Sequence, residues 1–147
     1  MDFIKLAKKR YSVRNYNNQK VEKKDIDLIL EAGRVAPTAG NFQPQRLIIV
    51  QSQEGLDKLK KCTKIFNAPI AIIVCGDKNN VWKRPQDGKD MVDIDASIIT
   101  THMMLQATEL GIGTLYMTWF DPIKIKEEFN IPDNIVPVNL LLIGYAD

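Results

Sequence analysis

Cysteine and histidine are nearly absent from this sequence: Cys62, Cys75 and His102 are all that its 147 residues contain. The thiols form no C-x-x-C pair and have one imidazole to assist them, which excludes a zinc site and a disulfide framework and predicts reduced thiols. Long apolar runs are also missing. No segment approaches the roughly 20 residues of a membrane span, and the charged start, with Asp2 and Lys5, excludes a secretory signal. A cytoplasmic protein without membrane contact is expected. No Ser-His-Asp, Cys-His or metal-ligand cluster is evident, so neither a catalytic side chain nor a metal ligand is assigned, and a borrowed cofactor would account for that gap. His102, on an apolar stretch with no carboxylate at helical partner spacing, is expected to be a packed imidazole bonded to a neighbour.

What is present fits one domain over residues 1–147, 45% hydrophobic and 26% charged. The net charge of +2 conceals an asymmetry. Residues 1–24 hold eight Lys/Arg against Asp2 and Glu22, a balance of +6 that leaves −4 for the remainder. Lys8 and Lys9 are read as complementing the C-terminal dipole of a first helix. Nucleic acid is excluded as a partner, because these cations are not interleaved with stacking aromatics and no later basic stripe continues them.

Hydrophobic spacing predicts a helix from Asp2 to about Arg10 and a second from Lys23 to Val35, which Pro37 ends. Buried-type strands are expected at Arg46 to Gln51 and Pro69 to Cys75, with a helix from Glu54 to Cys62 between them. Lys78 to Lys89 lacks periodicity and reads as an exposed loop, and its part from Trp82 to Lys89 is the one candidate for a substrate lid. The longest helix candidate, Asp90 to Leu110, is apolar nearly all round and is expected to be central and mostly buried. Gly111 stops it. A strand from Gly113 to Phe120, a helix opened by Asp121-Pro122 and a last strand from Val136 to Tyr145 complete a layered α/β or α+β pattern with a mixed sheet. Gly111-Ile112-Gly113 closes a helix and precedes a strand, the reverse of a dinucleotide fingerprint, so that reading is rejected.

Two polar turns remain, each at a helix exit. Arg10, Ser12 and Arg14 alternate in one stretch and would project to the same side, supplying permanent cations and a hydroxyl suited to a phosphate. Pro37-Thr38-Ala39-Gly40-Asn41-Phe42-Gln43-Pro44 offers amide and hydroxyl side chains around a glycine that permits unusual backbone geometry. Read singly, each is also compatible with an ordinary solvated turn.

Together these residues resemble the nitroreductase family of flavin mononucleotide (FMN) enzymes over essentially the whole chain. The likeness is carried by Lys9 to Arg14, by Ala36 to Pro44, and by Leu110 to Thr114 leading into Phe120-Asp121-Pro122. It implies an α+β, three-layer fold with a central mixed β-sheet flanked by helices. It also implies an FMN-dependent oxidoreductase, a homodimer that passes hydride from NADH or NADPH to a small-molecule electron acceptor such as a nitroaromatic or quinone. By the same resemblance Arg10, Tyr11 and Ser12 belong to the phosphate segment, and Arg14 lies beside the pyrimidine edge of the flavin. Pro37, Thr38, Ala39 and Asn41 reach the flavin of the partner subunit, while Leu115, Met117 and Thr118 lie along the ring. Family members usually continue beyond the last strand with a further basic residue and an arm that wraps the partner, so an end at Asp147 implies weaker FMN affinity and a weaker dimer. Gln45 replaces a common aromatic, and Tyr11 and Thr38 are variants. Two alternatives stay open: a flavin-binding redox sensor or storage module without efficient turnover, and a nicotinamide-binding dehydrogenase without flavin.

Overall fold

The computed structural model describes residues 2–147. In chain order the elements are α1 (Phe3–Lys9), α2 (Lys23–Val35), β1 (Gln45–Val50), α3 (Gln53–Lys60), β2 (Ile70–Asp77), α4 (Val92–Glu109), β3 (Gly113–Met117), α5 (Pro122–Glu128) and β4 (Ile135–Gly144). Local chemistry explains several starts. The Asp2 carboxylate accepts from the Lys5 N–H at 2.9 Å, the Ser52 hydroxyl accepts from Gly55 at 3.0 Å, and Asp121 caps α5 through Ile123 and Lys124 with Pro122 in its first turn.

The strands lie in the order β1-β2-β4-β3, and each neighbouring pair runs antiparallel. The expected helix-flanked α+β architecture is therefore present, but the mixed character of the sheet reduces to one parallel bridge, Ser12 to Thr114. Strand alternation divides the interior in two. Ile70, Ile72 and Val74 of β2, with Leu141 and Ile143 of β4, face α2 and α4. Ala71, Ile73 and Cys75, with Leu140 and Leu142, face α3 and α5, where Leu59 and Ile125 are fully buried. Both faces of the two central strands are covered, so a continuous apolar run is their natural sequence.

Two expectations need correction. β1 is an edge strand with Arg46 and Ile49 exposed, because its outer side has no partner strand. In α4 the row Ala96, Ile99, Met103 and Ala107 is buried, whereas Ile94, Thr101 and His102 are exposed, since only one side of the helix meets the core. His102 keeps its expected neighbour, its Nδ1 lying 3.1 Å from the Ile98 carbonyl oxygen, but the ring is outside the core.

Candidate functional site

The first turn is fastened to the sheet by its backbone. Beyond α1 the chain is extended, Ser12 bridges Thr114, and the Val13 N–H donates to the Thr114 carbonyl at 2.9 Å. Val13 points inward, while Ser12 and Arg14 on either side of it are exposed, as extended geometry requires. Gly113 makes this docking possible, since a Cβ there would sit 2.9 Å from Val13 Cγ2 and 3.0 Å from the Gly144 carbonyl oxygen. Gly111 closes α4 with φ +77°.

Charge at this turn is uncompensated. Arg34, Arg46 and Arg84 are each paired with a carboxylate, at 2.6, 3.3 and 2.6 Å. Arg10 and Arg14 have no carboxylate within ion-pair distance among the described residues. Arg10 and Tyr11 border a small cavity of about 110 Å³ with Thr108 and Gly111. Arg14 borders a larger one of about 410 Å³ with Leu115, Met117 and Thr118, so the basic turn and the β3 exit meet there. β3 ends at Met117, which leaves Thr118, Trp119 and Phe120 in the connection to α5 and shortens the strand from its expected length.

The second turn is held by side chains. Ala39–Asn41 form a single 3-10 turn, and Gly40, Asn41 and Gln43 all have positive φ, 59°, 55° and 53°. For asparagine and glutamine this conformation is strained and must be held by surrounding bonds. Asp95, on α4 and only 1% exposed, accepts from the Ala39 N–H at 3.0 Å. Thr38 Oγ1 accepts from the Gln43 N–H at 3.0 Å, and Asn41 Oδ1 from Gln43 Nε2 at 3.1 Å. Asn80 Nδ2 donates to the Phe42 carbonyl at 3.1 Å, and the Trp82 ring closes over Gly40, where a Cβ would meet its Cδ1 at 3.1 Å. The Lys78 to Lys89 segment, expected as an exposed loop, therefore braces this turn through Asn80 and Trp82.

Asp95 is the residue that sequence reading passed over. By sequence alone it is one of two acids, with Asp93, in the first turn of α4, yet it recurs at i+4 spacing with Ile99 and Met103, the buried row of that helix. Its Oδ2 is buried without a partner. Burial holds the carboxyl above the usual carboxylate range, although the Ala39 N–H opposes that shift.

The two turns occupy opposite ends of α4. The second is tied to Asp95 and the first lies beside Thr108, 13 positions later, which a rise of 1.5 Å per residue converts to about 20 Å. Within one protomer they do not share a cavity wall in either space bordered by the first turn. No group of His, Cys, Asp and Glu among the described residues is arranged to hold a metal.

A family model described as the nitroreductase family matches residues 7–64 and 57–145. A crystal structure of a nitroreductase family protein from Clostridium difficile superposes with a TM-score of 0.99 at 56% identity, covering all of this chain and 86% of that one. A relative from Archaeoglobus fulgidus, provisionally named NADH dehydrogenase/NAD(P)H nitroreductase, is 34% identical over 150 residues, 97% of this chain and 84% of its own length. A structure from Exiguobacterium sibiricum, described as a complex with FMN, has a TM-score of 0.86 at 27% identity, covering 99% of this chain and 89% of that one.

Proposed function

The chain belongs to the nitroreductase family, and we propose that it is an FMN-dependent oxidoreductase that uses NADH or NADPH to reduce a nitroaromatic, quinone or similar small acceptor. The observation that carries this reading is a pair of arginines without a carboxylate partner among the described residues, Arg10 beside the small cavity at the end of α4 and Arg14 where the first turn meets the β3 exit. The residues present fit FMN. A cationic, hydroxyl-bearing turn suits a phosphate, and a second cation beside an apolar strand end suits the electron-rich edge of a flat ring.

In this reading Arg10 and Ser12 hold the phosphate, with Tyr11 between them, and Leu115, Met117 and Thr118 form the wall for the ring. Arg14 stabilises negative charge at the pyrimidine edge, favouring the reduced state. The bound flavin supplies the hydride-accepting and hydride-donating chemistry, which explains why the chain carries no acid, base or nucleophile cluster. Pro37, Thr38, Ala39 and Asn41 serve the site of a partner subunit. The separation of about 20 Å along α4 supports this assignment, because a single protomer keeps the two turns at opposite ends. Exposed Phe3, Leu28 and Val35 border a groove of about 700 Å³ between α1, α2 and α4, apolar surface of the kind a homodimer covers. A cytoplasmic setting accords with two free, buried cysteines. No helix among the described residues is long and apolar enough to cross a membrane.

The deciding experiment is an absorbance spectrum of purified protein after incubation with FMN, followed by steady-state oxidation of NADH and NADPH with a quinone. A yellow, dimeric protein that turns over many equivalents is expected. Stoichiometric reduction alone would identify a flavin sensor or store, and no bound flavin would end the proposal.

A further inference from the structure

The cavity beside the β3 exit has more chemistry than the flavin assignment uses. Its lining includes Arg14, Lys64 and Trp119 but no carboxylate. Trp119 is 88% exposed, more than any other large hydrophobic side chain described. Its backbone, by contrast, is fixed. Thr63 Oγ1 donates to the Trp119 carbonyl at 2.6 Å, and the Asp121 N–H donates to the Cys62 carbonyl at 3.1 Å, locking the loop after α3 to the connection after β3. A rigid backbone thus presents an indole that is almost entirely exposed, although aromatic rings ordinarily contribute by burying 150–250 Å² or so.

Lys64 rides on the same locked loop. Its neighbours Lys58, Lys60 and Lys61 are each within 3.4–3.6 Å of a carboxylate oxygen. Lys64 has no ion pair among the described residues, and its Nζ stands 5.1 Å from the centre of the Phe66 ring. The Thr63 bond brings a cation without a carboxylate partner and an exposed indole onto one rim.

We propose that Trp119 and Lys64 form the acceptor-recognition edge of this site, selecting a planar aromatic molecule that carries a carboxylate or comparable anionic group. The indole stacks on the ring and the ammonium pairs with the anion; neither takes part in electron transfer. This rests on the oxidoreductase reading for its purpose but is tested by binding without reductant.

Equilibrium dialysis with para-nitrobenzoate and its uncharged counterpart para-nitrobenzyl alcohol, on FMN-saturated and flavin-free protein, separates the possibilities. The protein is expected to bind para-nitrobenzoate the more tightly. Trp119→Ala should weaken both probes roughly tenfold and Trp119→Phe should restore most of the loss. Lys64→Gln should weaken only para-nitrobenzoate, by roughly threefold. In steady state the same variants should raise KM for para-nitrobenzoate more than they lower kcat. Equal affinity for the two probes, or unchanged binding in Trp119→Ala, would overturn the assignment. Flavin bound without probe selectivity refutes this edge alone, whereas failure to bind flavin refutes the oxidoreductase reading.

Discussion

The two polar turns reach rigidity by opposite routes. In the first, backbone groups of Ser12 and Val13 dock on Thr114, so its charged side chains are free of internal partners. In the second, side chains of Thr38, Asp95, Asn80 and Asn41 are consumed in holding a left-handed backbone. A turn fixed by its backbone offers charge. A turn fixed by side chains offers shape, namely a defined backbone contour with few mobile groups. A cofactor with an anionic tail and a flat ring needs both.

The largest effect should come from removing charge at the first turn. Arg10→Ala is expected to weaken FMN binding roughly tenfold to hundredfold, the range for a lost charge-assisted hydrogen bond, with little change in melting temperature because the side chain has no ion pair. Flavin retention after gel filtration measures it, and undiminished retention would remove Arg10 from the phosphate site.

At the second turn the loss should appear as instability first. Asp95→Ala leaves the Ala39 N–H without its acceptor and should cost about 1–3 kcal/mol, read by urea unfolding, whereas Asp95→Asn keeps an acceptor. The pH dependence of these proteins sharpens the contrast. Because the folded Asp95 carboxyl titrates above its unfolded value, its contribution is most favourable at low pH. That contribution declines as pH rises from the ordinary carboxylate range through the raised folded value. Asp95→Asn, lacking that ionisation, should gain stability relative to the parent as pH rises above the ordinary carboxylate range. A constant difference as pH rises would show that burial does not hold the carboxyl neutral.

A smaller effect is expected from Gly40→Ala. Its φ of +59° and the Phe42 and Trp82 rings 3.1 Å from a new Cβ should together cost about 1–2 kcal/mol, with weaker FMN retention in the dimer as the second readout. Equal stability would mean that the turn relaxes without its left-handed residue. Smallest in free energy is Arg14→Ala, which should lower the flavin midpoint potential by roughly 10–20 mV, about 0.5–1 kcal/mol for a two-electron couple. Spectroelectrochemical titration reads this shift, and an unchanged potential with FMN still bound would contradict the role given to Arg14.

Much of the fold was legible because its signals are local. The capping residues Asp2 and Asp121, the proline after α2 and the helix-closing Gly111 act within a few residues, and α2 begins and ends where spacing and Pro37 put it. The apolar run of β2 identified a buried strand because both faces of the sheet are covered there. β1 misled because an apolar run does not reveal whether a strand has one neighbour or two. The same ambiguity affected α4, where equally apolar faces do not say which one meets the core, so His102 was placed inside and Asp95 went unnoticed. Trp119 and Lys64 gave no signal at all, since their adjacency depends on a bond between loops 56 residues apart.

Alternation and short-range capping alone were enough to determine the layered architecture, the positions of both polar turns and the residue types able to meet a phosphate and a flat ring. Tertiary structure decided which of those groups remain available, because only packing shows that Thr38 and Asn41 oxygens are bonded within their turn while Arg10 and Arg14 have no ion pair among the described residues. It also decided that α4 keeps the turns about 20 Å apart, a rigid helix imposing on distant residues a spacing that chain order cannot express.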